Sequence, residues 1–342
     1  MSVITIVGAG MMGSAMAVPA ADNGHEVRLV GTPLDREIIT RLQADGVHPK
    51  HQRKLPGGVR SLQIEELAPA LAGADLLING VSSFGVDWFT REVLPHVPLP
   101  LPVLSVTKGL AEVEDQLIPF PDAMAANMRP RRRLSLNAVG GPCTSYELAD
   151  RNQTAVAFCG EDLAVLTRLK QMLATPYYHI SLSTDVIGVE CGVALKNCYA
   201  LGVSLAVGLE ESRHGVGCPQ TYNPQAALFG QSAKEIGRLL KLLGGKDESL
   251  AYAVGDLYVT IFGGRTRKLG TLLGRGLPFD RAMQELEGIT LESVAITTTV
   301  ARVLRRRAAN GAARLSDFPL LIHIDEIISQ GAKVAIPWER FC

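Results

Sequence analysis

The hexapeptide Gly8-Ala9-Gly10-Met11-Met12-Gly13 constrains this chain more than any other feature of its sequence. It directly follows Val3–Val7, an apolar run that reads as a strand, and it opens Met11–Asn23, which reads as a helix. Val27–Val30 then reads as a second strand. Alone, GxGxxG is a weak pattern; set between a strand and a helix it is a strong one. Gly8 permits the tight turn, Gly10 lets backbone amides approach a pyrophosphate, and Gly13 lets the helix pack on the strand. The helix N-terminus then faces the anion. A strand–helix turn without ligand is the other reading of the same six residues.

The pattern around the motif extends this unit into a domain. Asp75–Ile78, Val103–Val106 and Leu134–Val139 read as further strands, and Thr154–Phe158 and Tyr177–Ile180 extend the same sheet. Short apolar runs alternating with helical patterns imply parallel strands joined by crossover helices. After Ser183 the character changes. Asp185–Gly208, Pro224–Leu243, Glu248–Gly255, Pro278–Gln284 and Leu291–Ala308 all read as helices, with no strand among them. The expected fold is therefore α/β: an N-terminal doubly wound Rossmann domain over residues 1–182, followed by an all-α C-terminal domain over residues 183–342. Gly46–Val59, rich in Gly, Pro and basic residues, reads as a surface loop.

Composition excludes several classes of function. Lys+Arg and Asp+Glu both number 34, so no global basic field attracts nucleic acid. Met1 leads straight into Ser-Val-Ile-Thr-Ile-Val, without a basic region, an apolar core or a cleavage site, so no secretory signal is expected and the location reads as cytoplasmic. Val186–Leu209 is the most apolar later stretch, but Glu190, Lys196 and Asn197 interrupt it; it reads as a buried core helix, with no stable membrane insertion. Cys143, Cys159, Cys191, Cys198, Cys218 and Cys342 show no CxxC spacing and no histidine partners. They read as reduced thiols, and no metal site is expected.

The second strand ends in Leu29-Val30-Gly31-Thr32, without the acidic residue that an NAD site places there for the ribose 2′-hydroxyl. Thr32 and Arg36 are suited to a 2′-phosphate, so NADP(H) is favoured and NAD(H) possible, although Asp35 stands close by and Arg36 reads equally as a solvated helix charge. Ligands of open parallel sheets sit outside the carboxyl ends of the strands. Lys108 in Ser105-Val106-Thr107-Lys108-Gly109 and the glycine turn Gly140-Gly141-Pro142-Cys143 fall at such ends.

Lys196, in Ala194-Leu195-Lys196-Asn197, is the more telling lysine, since lysine is almost never fully buried without a partner. Gly188, Gly192, Lys196 and Ala200 are spaced to form one helix stripe, whose small members allow a ligand or a backbone to approach the amine. Desolvation would lower the pKa of such an amine towards neutrality, which suits proton transfer; a snorkelling lysine is the alternative. Further on, Gly255-Asp256-Leu257 precedes Gly263-Gly264-Arg265-Thr266-Arg267-Lys268-Leu269-Gly270. The latter reads as a flexible, donor-rich turn in which a guanidinium can grip phosphate, with Arg267 and Lys268 as solvated charges.

Taken in order and spacing, Gly8–Gly13, Ser105–Gly109, Gly141-Pro142, Ala194–Asn197, Gly255–Leu257 and Gly264-Arg265 resemble the NAD(P)-dependent glycerol-3-phosphate dehydrogenase family over nearly the whole chain, its archaeal-type branch most of all. The resemblance implies an oxidoreductase acting on dihydroxyacetone phosphate or sn-glycerol 3-phosphate, and the expected assembly is a homodimer. By resemblance Lys196 is the proton donor to the ketone, and Lys108, Gly141, Asp256 and Arg265 contact the substrate. Met11, Met12, Lys108, Ser145, Arg265 and Glu292 lie near the cofactor. Asp256 and Lys108 orient the developing alkoxide.

This sequence departs from the family at Cys143, where Ser, Thr or Ala is usual, and at Thr266, where Asn is usual; both belong to the expected substrate region. Gln231-Ser232 replaces Arg-Gly, Leu291-Glu292-Ser293 replaces Val-Glu-Gly, and Gly215–Tyr222 looks like a lengthened loop. These changes border the substrate region. Three readings stand beside the first: the same chemistry on another small phosphorylated or phosphonylated ketone, motivated by Cys143, Thr266 and the lengthened loop; a ketopantoate-reductase-like enzyme, which shares the layout; and a nicotinamide sensor without turnover. The phosphate-seeking Gly263–Gly270 segment speaks against the second, and the retained Lys108, Lys196 and Asp256 against the third.

Overall fold

The computed structural model describes residues 1–129, 131–288 and 291–341. Its strands run β1 (Val3–Val7), β2 (Glu26–Val30), β3 (Val47–His48), β4 (Arg53–Lys54), β5 (Val59–Leu62), β6 (Leu76–Asn79), β7 (Val103–Ser105), β8 (Leu110–Val113), β9 (Gln116–Pro119), β10 (Leu136–Gly140), β11 (Thr154–Cys159) and β12 (Tyr178–Ser183). The helices of the first half are α1 (Met11–Asp22), α2 (Arg36–Asp45), α3 (Leu67–Leu71), α4 (Val86–Trp88), α5 (Phe120–Asn127), α6 (Ser145–Ala149) and α7 (Leu163–Leu173). Those of the second half are α8 (Val186–His214), α9 (Tyr222–Leu243), α10 (Leu250–Ile261), α11 (Gly264–Gly274), α12 (Phe279–Glu285), α13 (Glu292–Ala309) and α14 (Pro319–Gln330).

Two compact units emerge: Met1–Lys108 with Pro119–Glu190, and Gly109–Ile118 with Cys191–Cys342. The two-domain reading with a single crossing near residue 182 therefore differs from the structure at two places. The first unit keeps the start of α8. The second unit also claims the β8–β9 hairpin, and the reason is physical. Leu110 and Leu117 join the apolar core of the helices. Glu112 accepts from Arg302 and Arg306 of α13 at 2.6 and 2.8 Å, and Asp115 pairs with Arg306 as well.

In the first unit an eight-stranded sheet has the order β12-β11-β10-β7-β6-β1-β2-β5. Every pairing is parallel except β10 with β11. Helices cover both faces of such a sheet, which is why β1 and β6 read as unbroken apolar runs; Ile4, Ile6, Leu76, Leu77 and Ile78 are fully buried. From β1 the chain builds outward through β2 and β5, then returns to place β6 on the other flank of β1. That reversal is a topological switch point, and the crevice for a ligand opens beyond the carboxyl ends of β1 and β6.

The second unit is helical apart from β8 and β9. Glycines set its closest packing. A Cβ on Gly270 or Gly274 of α11 would meet the carbonyl oxygen of Leu201 or Leu205 of α8 at 2.5 or 2.3 Å. The two backbones are therefore in direct contact. Glu235 of α9 is fully buried and fully committed. It accepts from the amides of Leu320 and Leu321 at 2.8 and 3.0 Å, from Tyr199 Oη at 3.0 Å and from Gln231 Nε2 at 2.7 Å. It thus satisfies the first amides of α14. Helices α11 and α14 were not expected from the sequence. The apolar stretch expected at Val186–Leu209 is helix α8, and most of it is buried.

Candidate active site

In the first unit two of the motif glycines, Gly8 and Gly13, meet a glycine from outside the motif, Gly80. Gly8 takes φ +110°, and a Cβ there would lie 2.6 Å from the carbonyl carbon of Gly80. A Cβ on Gly13 would lie 2.0 Å from the Gly8 carbonyl oxygen, and one on Gly80 would lie 2.8 Å from Gly13 Cα. The loop after β1, the first turn of α1 and the residue after β6 are thus stacked backbone on backbone. Gly10 has nothing within 4 Å of where its Cβ would be, so the space before the N-terminus of α1 is open. A pyrophosphate fits that arrangement: open space, glycine backbone and the positive end of a twelve-residue helix.

The segment read as a surface loop, Gly46–Val59, is in part a support for this turn. It contains the β3–β4 hairpin, and His48 and His51 are buried. The Nδ1 of His48 accepts from the amides of Lys50 and His51 at 3.2 and 3.1 Å. A nitrogen that accepts carries no proton, so His48 is the Nε2–H tautomer. That Nε2–H donates to the Ala9 carbonyl at 3.0 Å. His51 Nε2 donates to the Met11 carbonyl at 2.6 Å. Burial holds both imidazoles below the ordinary histidine range, and hence neutral. Nothing in the Gly/Pro/basic composition of the segment signals this.

After β2, the Asp35 carboxylate turns back on the loop. Its Oδ2 accepts from the amide of Ala9 at 3.1 Å, the amide of Thr32 at 2.9 Å and Thr32 Oγ1 at 2.8 Å. Asp35 is therefore engaged with the turn itself. The two residues expected at a 2′-phosphate both have partners: the Thr32 hydroxyl on Asp35, and Arg36 in an exposed ion pair with Glu65. An exposed pair of this kind is worth little, so Arg36 remains available to a competing anion.

At the ends of β6 and β7 a buried polar network joins two loops. Asn79 Nδ2 donates to Ser105 Oγ at 3.2 Å, and Thr107 Oγ1 donates to the Val81 carbonyl at 2.6 Å. This network delivers Lys108 to the sheet's carboxyl edge, where its Nζ donates to the Gly141 carbonyl at 2.8 Å. Gly141 takes φ +110°. Cys143 and Ser145, just beyond it, are half-buried.

In the second unit, Lys196 of α8 points its Nζ at Asp256 Oδ1 of α10, 2.7 Å away. Asp256 is completely buried and Lys196 retains 16% exposure. The amine is neither lone nor snorkelling; it is held on a buried carboxylate. The small-residue stripe serves a backbone rather than a ligand: a Cβ on Gly192 would meet Ala253 Cβ at 2.6 Å, which lets α10 close on α8 and bring Asp256 under the amine. One residue on, Asn197 Nδ2 donates to Glu292 Oε2 at 3.3 Å at the start of α13. The sequence named Asn197 within the Ala194–Asn197 motif but gave it no role of its own.

The Gly263–Gly270 segment is not the flexible turn expected. Helix α11 begins at Gly264, with Gly263 extended before it, and Thr266 is buried in its first turn. Arg265 is exposed at its N-terminal end, and among the described residues it makes no ion pair. Arg267 is not a solvated charge. It donates to the Ile261 carbonyl at 2.5 Å and so closes the end of α10. Cys159, Cys191 and Cys198 are buried thiols and Cys143 and Cys218 half-buried ones, none of the five in a disulfide; Cys342 lies outside the described residues. Beside the motif, His51 meets Tyr146 edge-to-face with ring centroids 5.2 Å apart, and the Arg53 guanidinium lies over the Tyr146 ring.

Comparison with known proteins adds the decisive observation. Residues 3–165 match the N-terminal domain of NAD-dependent glycerol-3-phosphate dehydrogenase, and residues 185–338 match its C-terminal domain. The chain belongs to the NAD-dependent glycerol-3-phosphate dehydrogenase family. A relative from Archaeoglobus fulgidus, an NADP(+)-dependent glycerol-3-phosphate dehydrogenase, is 34% identical over 97% of this chain and 96% of its own. A glycerol-3-phosphate dehydrogenase [NAD(P)+] from Bacillus velezensis is 27% identical over 98% and 92%. The solved glycerol-3-phosphate dehydrogenase of Coxiella burnetii superposes with a TM-score of 0.80 at 25% identity, covering 99% of this chain and 97% of that one. A ketopantoate reductase from Ralstonia eutropha shares the fold, with a TM-score of 0.58 at 17% identity.

Set in the glycerol-3-phosphate dehydrogenase family, one departure changes meaning. Gln231 and Ser232, expected to border the substrate region, are buried, and they bond Glu235 and the Leu228 carbonyl. Both bonds lie within α9, and that of Gln231 supports the Glu235 carboxylate that accepts from the first amides of α14.

Proposed function

We propose that this chain interconverts dihydroxyacetone phosphate and sn-glycerol 3-phosphate with NAD(P)H, NADP(H) being favoured as in the Archaeoglobus relative. The observation that carries the reading is the Lys196–Asp256 pair, an amine fixed at 2.7 Å on a fully buried carboxylate within the segments that match the family. When bound, the nicotinamide supplies the hydride to C2 of the ketone or takes it from the alcohol. In the first unit, Gly8, Gly10, Met11, Met12 and Gly13 receive the dinucleotide at the open end of α1, with Thr32 and Arg36 towards its ribose and Ser145 beside it. In the second unit, Lys196 Nζ gives a proton to the C2 oxygen in reduction and recovers it in oxidation. Asp256 accepts from the same nitrogen, keeping it aimed and charged until the transfer. Arg265 offers paired N–H donors to the substrate phosphate. Lys108, anchored on Gly141, is a second cation for the substrate, and Glu292, held by Asn197, is assigned to the cofactor.

The test is NADPH oxidation followed by absorbance with dihydroxyacetone phosphate, with ketopantoate, with a panel of other phosphorylated ketones and with no ketone. Turnover highest with dihydroxyacetone phosphate is expected. Turnover confined to another phosphorylated ketone would move the substrate assignment to Cys143, Thr266 and the Gly215–Tyr222 loop, and binding of NADPH without any turnover would make the chain a sensor.

A further inference from the structure

Two side chains that no part of the proposed chemistry uses are built into the floor of the cofactor loop. His48 and His51 are 0% and 2% exposed, and each donates to a main-chain carbonyl of the motif, Ala9 and Met11. A trans peptide is planar, and its N–H points opposite to its C=O. Holding the Ala9 carbonyl therefore fixes the direction of the Gly10 N–H in the same plane, away from His48, at a residue with no heavy atom within 4 Å of where its Cβ would be. Holding the Met11 carbonyl does the same for the Met12 N–H. On the preceding peptide the Ala9 amide is held by Asp35. The peptides on both sides of Ala9 are thus oriented by side chains from beyond β2, the buried His48 and the half-buried Asp35, with Ser14 Oγ of α1 also donating to the Ala9 carbonyl at 3.2 Å.

We infer that His48 and His51 are positioning residues for the dinucleotide, fixing the amides of Gly10 and Met12 in the direction from which they receive its anion. The need arises from the motif itself. A loop that contains Gly8 and Gly10 has more backbone freedom to lose than any other kind of loop. Unless it is ordered in advance, that freedom is lost at the expense of affinity. His48 does two separable things. Its Nδ1 holds the hairpin amides of Lys50 and His51, and its Nε2–H holds the motif. His48→Asn keeps a short acceptor for the hairpin amides and removes the reach to Ala9. His48→Gln keeps a donor that reaches Ala9 and loses the hairpin acceptor.

The inference rests on reading the Gly8–Gly13 loop as a dinucleotide site, and titration of the unmodified protein with NADPH checks that reading by itself. If the unmodified protein binds, His48→Asn is expected to raise the NADPH dissociation constant about tenfold, with the loss appearing in KM for NADPH and not in kcat. His48→Gln is expected to bind within about threefold of the unmodified protein while melting at a lower temperature. Adding His51→Leu to His48→Asn should weaken binding further. The inference is overturned if His48→Asn binds NADPH as the unmodified protein does, or if affinity in the two variants follows melting temperature rather than the Ala9 bond.

Discussion

Replacing Lys196 with alanine tests the catalytic and the structural weight of one contact together. Asp256 is 0% exposed and its Oδ1 lies 2.7 Å from Nζ, so Lys196→Ala leaves a charged carboxylate in the helical core beside an empty stem. Removing one partner of a buried pair costs about 3–5 kcal/mol. The 16% exposure of Lys196 lets water approach and puts the loss at the lower end of that range. Removing the proton donor should separately lower kcat by about 10²–10⁴, equivalent to roughly 3–5 kcal/mol of barrier. The two effects separate in the double variant Lys196→Met/Asp256→Leu, in which both charges are replaced by apolar groups of similar size. That change is often neutral or stabilising for a buried pair. Stability should return while activity stays absent. Denaturant unfolding gives the first quantity, and NADPH oxidation at saturating dihydroxyacetone phosphate gives the second. A single variant that keeps more than half of kcat, or a double variant that regains activity along with stability, would refute the reasoning.

Arg265→Lys should lower kcat/KM for dihydroxyacetone phosphate by about one to two orders of magnitude, because an ammonium cannot reproduce the paired donors of a guanidinium; unchanged steady-state kinetics would remove the phosphate contact from this residue. Gly80→Ala places a Cβ 2.8 Å from Gly13 Cα and 3.0 Å from the Gly8 carbonyl oxygen, both backbone atoms. It should cost about 1–3 kcal/mol of stability and weaken NADPH binding, as read by melting and fluorescence titration; wild-type values for both would show that the three-glycine stack is loose. Stability should also fall in mild acid. Burial lowers the pKa of His48, His51 and His323 below the ordinary 6.5 in the folded chain. The unfolded chain therefore takes up protons first as the pH drops below 6.5, and each proton bound only by the unfolded chain removes up to about 1.4 kcal/mol per pH unit. Unfolding midpoints measured from pH 8 to pH 5 should be flat above 6.5 and fall below it; a midpoint that rises on acidification would contradict the buried neutral histidines.

The fold was legible where one local pattern determined it. Each strand read from an apolar run in the first half appears in the sheet within a residue or two, except that β12 runs three residues past Ile180 to Ser183; a strand covered on both faces must be apolar throughout, whereas β12, at the edge, alternates. Four of the elements that escaped this reading show why. Strand β5, Val59–Leu62, lies at the sheet's edge and carries Arg60 and Ser61 between its apolar ends, so it lacks the apolar run. Helix α11 opens with two glycines and a basic run, which read as a turn, yet Gly270 and Gly274 are there to seat it on α8. Helix α14 owes its first turn to Glu235, 85 residues away from Leu320 in the chain. The β8–β9 hairpin belongs to the helical unit through ion pairs about 190 residues apart, such as Arg302 with Glu112. For α14 and the β8–β9 hairpin it is the sequence distance of the partner, not the weakness of the element, that hid them.

The same division runs through the candidate site. Gly8, Gly13 and Lys196 announce themselves because the chemistry they serve demands an unusual residue in an ordinary pattern: a glycine where a helix begins, an amine in an apolar helix. His48 and Arg267 do not, because their value lies entirely in the carbonyl each one meets. His48 sits in a stretch whose composition is that of a solvent-exposed loop, and only the fold shows that its ring is sealed against Ala9. Arg267 stands beside Lys268 in a run that reads as solvated charge, and only the closing of α10 by its guanidinium reveals a structural contact. The consequence for substitutions is specific. Arg267 is not a neutral comparator for Arg265: Arg267→Ala should loosen the α10–α11 junction and displace Asp256 and Arg265 together. The measure of such a positional effect is a fall in kcat that Arg267→Gln, which keeps a donor for the Ile261 carbonyl, partly restores.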